Sequence, residues 1–270
     1  METITSRHNP FLRRIRRLQE DRDFRREMRQ YVCEGETALR EAEAAGLSPV
    51  SIVWKQKPGR EFPDAQACCV PADLYSYVSG LKNSPGPLFT IAMPAGDEPE
   101  RIRSGIVLEN VQDPGNVGTV LRTAAAFGLD AVICTGACAD LYHPRTIRAS
   151  MGAIFRQPTV ETEDPGEIAR RRKLPLIAAV PDPGAPDVRT ADLRGALVVV
   201  GNEGSGITPE LLRQCTSAVR IPMVPTAESL NASVAAALLM WEMVRPLPTD
   251  RQDSSPAESR GSEKSKEFIV

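Results

Sequence analysis

The segment from Val234 to Val244 is apolar nearly all the way round a helical circumference. A helix without a polar face has to be covered, by the core of its own chain or by a partner. Leading into it is Ile221-Pro222-Met223-Val224-Pro225-Thr226-Ala227-Glu228, then Ser229-Leu230-Asn231-Ala232-Ser233. The prolines keep this loop from extending either neighbour, and Ser229 is placed to cap the first turn. Polar side chains at the mouth of a covered helix need hydrogen-bond partners, which either a structural network or a ligand supplies.

Upstream, the pattern alternates between strands and helices. Gly105 to Leu108 and Ala131 to Cys134 read as strands, and apolar positions 117, 120, 121, 124 and 125 form a helical stripe between them. A helix is expected from His143 to Phe155. Leu176 to Val180 and Ala196 to Val200 are unbroken apolar runs, as strands buried on both faces should be. The series predicts an α/β fold with a parallel sheet. Residues 1–93 predict a smaller α/β unit. Its first helix follows Asn9-Pro10 with Phe11, Ile15 and Leu18 on one side, and its second runs from Glu34 to Ala45 and stops at Gly46. Strands are expected at Ser51 to Trp54 and Leu88 to Ala92, with a helix from Ala72 to Leu81 between them. Met93 to Pro99 has linker composition, which places a linker over 94–103 and the second unit over 104–247. The tail 248–270, rich in Ser, Asp, Glu, Arg and Pro, is expected to lack fixed structure.

No apolar run approaches ~18 residues, so no membrane span is expected. The polar start, Met1 to Pro10, predicts no signal peptide. Six cysteines without a Cys-x-x-C pair, beside two histidines, predict no zinc site, and reduced thiols point to the cytoplasm. The formal net charge of −2 conceals nine arginines between Arg7 and Arg29 against four acids. Such an excess suits a phosphate backbone, although a solvated helix with internal pairs accounts for it equally well.

Three stretches have the residue types of a site. In Asp113-Pro114-Gly115-Asn116, followed by Arg122, a strand turns into a helix that Asn116 is placed to cap. Arg122 has Gly118 and Ala126 as its i−4 and i+4 neighbours, a face of small residues that another molecule could approach. Between Tyr142 and Arg156 no acid offsets Arg145, Arg148 and Arg156; phosphate contact and a plain basic surface explain this equally well. Finally, Ala196 to Val200 runs into Gly201-Asn202-Glu203-Gly204-Ser205-Gly206. This is neither a dinucleotide fingerprint nor a phosphate loop, but bare backbone at a strand end that a flat ligand could approach, with the Glu203 carboxylate beside it.

In this order the stretches resemble the SpoU/TrmH-type (SPOUT) RNA ribose 2′-O-methyltransferases. The resemblance is carried by Asn116-x5-Arg122, by Gly201-Asn202-Glu203-Gly204-Ser205-Gly206, and by Ile221-Pro222-Met223 with Ser229-Leu230-Asn231-Ala232-Ser233; Arg148-Ala149-Ser150-Met151-Gly152-Ala153 is similar too. It covers about residues 104–246. The start of the chain, with Ser6-Arg7-His8-Asn9 and Val32-Cys33-Glu34-Gly35-Glu36, resembles the ribosomal-protein-like substrate-binding unit of many members. Around Ser84-Pro85-Gly86-Pro87 it departs from the usual Gln-Gly. The resemblance implies a C-terminal trefoil knot, S-adenosylmethionine as methyl donor, no metal, and a homodimer with sites near the subunit interface. It implies ribosomal RNA as substrate before transfer RNA. By the same carry-over, Gly201, Ile221, Met223 and Leu230 hold the donor. Arg122, Asn116, Glu203, Ser229 and Asn231 would form the catalytic set, while the arginine-rich segments offer Arg7, Arg13, Arg14, Arg145 and Arg148 as RNA contacts. An RNA-binding protein without activity on the same fold, and a nucleotide-dependent enzyme of small molecules, are the alternatives.

Overall fold

The computed structural model describes residues 2–55, 61–79, 81, 84, 86–96, 98–224, 226–227 and 229–245. The tail expected over 248–270 lies outside them, as do Pro225 and Glu228. The first unit runs β1 (Glu2–Thr3), α1 (Pro10–Glu20), α2 (Arg22–Met28), β2 (Gln30–Glu34), α3 (Glu36–Ala44), β3 (Ser51–Trp54), β4 (Gln66–Cys69), α4 (Ala72–Ser79) and β5 (Leu88–Ala92). Its sheet has the order β1-β4-β3-β5-β2 and is mixed, with β5 antiparallel to both neighbours. Asn9 caps α1, accepting the Phe11 N–H at 2.9 Å, and Pro10 sits where its missing N–H costs nothing. The stripe Leu12, Ile15 and Leu18 is at most 1% exposed, and burial of each such side chain contributes roughly 1.5–3 kcal/mol.

The second unit follows with β6 (Gly105–Glu109), α5 (Pro114–Phe127), β7 (Ala131–Thr135), α6 (Pro144–Ser150), β8 (Thr159–Glu161), α7 (Pro165–Arg172), β9 (Leu176–Ala179), β10 (Leu197–Val200), α8 (Pro209–Leu212), β11 (Ser217–Val219) and α9 (Ala232–Val244). Its six strands are all parallel, in the order β11-β9-β10-β6-β7-β8. The architecture is thus two α/β units, the second built on a parallel sheet as its apolar runs demand. Helices α5 and α6 cross closely. A Cβ on Gly118 would stand 2.5 Å from the Thr146 carbonyl oxygen and 2.6 Å from the Ala149 Cβ.

Three sequence expectations change. The helix expected from His143 to Phe155 is broken. After Ser150 the chain turns left-handed at Met151 (φ 48°) and Gly152 (φ 86°), then makes a 3-10 turn at Ala153–Phe155. The break lies where the backbone meets α3: a Cβ on Gly152 would stand 2.8 Å from the Cβ of Glu41. The helix expected from Glu34 begins at Glu36, because Gln30–Glu34 pairs with β5 as an edge strand. The small-residue face below Arg122 is not open to another molecule at Gly118, since α6 already fills it.

The two units share apolar contacts, among them the Tyr31 and Tyr142 rings with centroids 4.8 Å apart. They are also joined by ions. Arg25, 2% exposed, donates to Asp140 Oδ2 from Nε at 3.0 Å and Nη2 at 2.6 Å; its Nη1 donates to the carbonyls of Leu18 and Gln19 at 2.7 and 3.0 Å. Arg22 and Arg26 pair with Glu161, and Arg156 with Glu41 at 2.6 Å. Much of the arginine excess between residues 7 and 29 therefore faces carboxylates of this chain.

Candidate active site

The site lies at the carboxyl ends of β6, β10 and β11, where open parallel sheets bind ligands. After β10 the loop closes on itself: the Asn202 N–H donates to the Gly206 carbonyl at 3.1 Å, and the Gly206 N–H returns to the Asn202 carbonyl at 2.9 Å. The Asn202 side chain accepts the N–H groups of Gly204 and Ser205 at 2.9 and 3.0 Å and donates to the Asn110 carbonyl at 2.9 Å. A Cβ on Gly201 would stand 2.4 Å from the Gly206 carbonyl carbon, so this glycine is required first by the loop's own closure. Glu109, buried at the end of β6, accepts the Thr208 N–H at 2.8 Å and its hydroxyl at 2.6 Å.

A second network ties three loops together. The Asn116 amide donates to Glu203 Oε1 at 2.6 Å, and the Asn231 amide donates to Asn116 Oδ1 at 3.1 Å. Asn231 Oδ1 in turn accepts the N–H groups of Ser233 and Val234 and the Ser233 hydroxyl, at 3.0, 3.4 and 2.7 Å. Two expected caps are therefore reassigned. Asp113, not Asn116, caps α5 by accepting the N–H groups of Gly115 and Asn116 at 2.7 and 3.1 Å, with Pro114 following as the first helical residue. Asn231, not Ser229, caps α9. Asn116 is thereby freed to bridge Glu203 and Asn231.

Beside this bridge lies a cavity of about 240 Å³ between the loops after β10 and β11, lined by Gly201, Glu203, Ile221, Met223, Ser229 and Leu230 among others. The four donor-binding candidates, Gly201, Ile221, Met223 and Leu230, come together there. So do Glu203 and Ser229, while Asn116 and Asn231 stand at its edge through their hydrogen bonds. Arg122 does not line the cavity. It follows Asn116 by six residues on α5, about 9 Å along the axis and about 120° around it. It is exposed and makes no hydrogen bond or ion pair with any described residue.

The candidate RNA contacts divide. Arg7 stacks on Tyr77, with its guanidinium carbon 5.1 Å from the ring centroid, and Arg13 is exposed. Arg14 is turned inward, donating to the Ser51 hydroxyl at 3.0 Å and Gln66 Oε1 at 3.1 Å, with its Nε buried. Arg145 reaches Asp113 at 3.4 Å, and Arg148 forms no ion pair with a described residue. Sequence reasoning missed Glu109 and Asn202 as the groups that shape the loop. Thr208-Pro209, a cap followed by a first-turn proline, was the available signal for one half of that clasp. No cluster of three or more metal-binding side chains occurs among the described residues, and no helix among them is long and apolar enough to cross a membrane.

Fold and site define an α/β protein that takes a small organic ligand between the loops of a parallel sheet, next to a polar bridge. The SpoU rRNA Methylase family matches residues 104–241, and the chain belongs to that family. A 23S rRNA (uridine(2479)-2′-O)-methyltransferase of Streptomyces viridochromogenes is 34% identical over 66% of this chain and 67% of that protein. The 23S rRNA (guanosine(2553)-2′-O)-methyltransferase RlmP of Bacillus subtilis is 27% identical over 90% of this chain and 99% of its own length. Among solved structures, an AdoMet-bound rRNA methyltransferase from Sinorhizobium meliloti superposes with a TM-score of 0.77 at 26% identity, covering 90% of this chain and 97% of that one.

Proposed function

We propose that this protein methylates a ribose 2′-hydroxyl of ribosomal RNA in the cytoplasm, using S-adenosylmethionine. In this proposal residues 1–93 bind RNA, 94–103 link, and 104–247 form the catalytic domain, its C-terminal segment threaded as a trefoil knot. The observation that carries the proposal is the cavity walled by Gly201, Ile221, Met223 and Leu230, with the Glu203–Asn116–Asn231 bridge at its rim. Its chemistry fits the donor: apolar side chains and glycine-bare backbone suit a flat adenosyl group, and the Glu203 carboxylate suits a cationic one. When bound, S-adenosylmethionine supplies a methyl group on a positively charged sulfur.

The chain's own residues do the rest. The loop closed by Asn202 and Gly206 and clasped by Glu109 holds the cavity's shape, so reacting groups meet without reorganisation. Asn116, fixed by Glu203 and Asn231, orients polar groups at the cavity mouth. Arg122, whose guanidinium carries N–H donors and no acceptor, serves as an electrostatic partner for a phosphate or the developing alkoxide.

Arg122 meets the cavity across a homodimer. Supporting this, α9 leaves Val234, Leu238, Trp241 and Val244 between 41% and 52% exposed, an apolar stripe at helical spacing. Trp241 also packs on Phe127 of α5, the helix that bears Arg122. The experiment is transfer of radiolabelled methyl from the donor to total RNA. Labelled 2′-O-methylribose in ribosomal RNA is expected. Label in transfer RNA alone rejects the substrate, and RNA retained without label rejects the activity.

A further inference from the structure

A second cavity, about 380 Å³ and larger than the first, lies at the junction of the two units. One side is the turn from β2 into α3, with Glu34, Thr37 and Ala38; the other is α6 and its C-terminal cap, with Ile147, Arg148 and Met151. Its apolar walls include Val32, Leu88 and Ile147, all buried. Met151, held left-handed at φ 48°, stands 59% exposed at the opposite wall, where a polarizable thioether can lie against a ring.

The polar groups of this cleft are of mixed kind. α3 starts at Gly35, which has no side chain to cap the helix, so among the described residues no side-chain cap meets the first-turn N–H groups of Thr37 and Ala38. Arg148 stands at the mouth without an ion pair among the described residues. Glu34 is partly sunk in the wall, where burial raises its carboxyl above the ordinary range and the Tyr75 hydroxyl donates to it at 3.4 Å. Glu41 is already paired with Arg156 at 2.6 Å. A phosphate dianion would meet Glu34 and Glu41, and a cation would meet Arg148 and the helix N-terminus. A flat neutral ring with both donors and acceptors on its edge meets neither conflict.

Resting on the RNA methyltransferase assignment, we infer that this cleft receives one extruded nucleobase of the RNA substrate, a keto base (uracil or guanine). The base carbonyl accepts from the N–H groups of Thr37 and Ala38, and its ring N–H donates to Glu34. The ring lies against Met151, and Arg148 takes the adjoining phosphate. Unstacked bases read on their edges and stacked on side chains are how proteins select RNA sequence. Because α6 forms one wall here and packs on α5 with its other face, the base held in the cleft sets which ribose reaches Asn116.

The test uses the full chain and RNA that the wild-type protein methylates. Thr37→Trp fills the cleft from an exposed position. It is expected to weaken RNA binding about 10- to 100-fold, the loss of one stacked base, while calorimetric affinity for S-adenosylmethionine stays unchanged. In parallel, RNA containing 4-thiouridine or 6-thioguanosine is photo-crosslinked to the wild-type protein, with attachment expected at Thr37, Ala38 or Met151. Unchanged RNA affinity and target position in Thr37→Trp, or crosslinks confined to other surfaces, overturn the inference. The crosslink stands in if that variant does not fold. Absence of methylation by the wild-type protein would instead overturn the activity itself.

Discussion

Removal of the Asp140 carboxylate exposes the energetics of the junction most directly. Asp140→Ala leaves the Arg25 guanidinium 2% exposed, with two of its four hydrogen bonds gone. Breaking a buried pair by removing one partner costs about 3–5 kcal/mol, because the remaining charge is stranded. The Leu18 and Gln19 carbonyls still accept from Nη1 at 2.7 and 3.0 Å, which puts the cost near the lower end, about 3 kcal/mol. Arg25→Met removes the buried charge itself. Asp140, 11% exposed in its side chain, keeps the Tyr142 N–H at 3.0 Å, so this change should cost only about 1–2 kcal/mol. The double variant should match Arg25→Met and not the sum of the two, a coupling of about 3 kcal/mol. Equilibrium urea unfolding of the four proteins measures all three quantities. If Asp140→Ala lies within about 1 kcal/mol of wild type, or if Arg25→Met is the more damaging, the pair is not a buried clamp.

Other consequences are as direct. Gly201→Ala pushes a methyl group to 2.4 Å from the Gly206 backbone, so the loop after β10 must open. Calorimetric affinity for S-adenosylmethionine should fall about tenfold or more, and an unchanged affinity would show the loop's closure to be irrelevant to the donor. Leu238→Glu places a charge in the exposed stripe of α9; sedimentation should change from dimer to monomer, whereas a wild-type monomer would remove the basis for Arg122 acting across an interface. Glu34 has a folded pKa raised by burial, so the folded state holds its proton more tightly than the unfolded chain, whose value is about 4.3. Its contribution is present below that value and lost as pH rises through the folded pKa. Glu34→Gln should therefore gain thermal stability relative to wild type between pH 4 and pH 8, and an equal difference at both would contradict this.

The second unit was legible because its strands are buried on both faces, so Leu197 to Val200 carried its own signature. Sheet order was not, since the pairing of β10 with β6 joins residues far apart in the chain. Gln30–Glu34 was missed because its polar ends resemble helix flanks and its partner, β5, lies some sixty residues on. Within the candidate site, the loops that come together at the cavity were readable, but not which side chain caps which helix. Asp113-Pro114-Gly115-Asn116 offers two cap residues, and only the proline rule selects the first. How far the arginine excess is paired was not legible for a related reason. Arg25 and Asp140 are separated by 115 residues, so composition counted as free a charge that folding neutralises.

The crossing at Gly118 leaves no room for even one more carbon between α5 and α6. The two helices meet there with only a glycine between them, so Arg122 on one and Arg148 on the other are carried on closely joined supports. Any residue larger than glycine at 118 would push these supports apart and shift the two arginines relative to one another, so their spacing rests on a single missing methyl group.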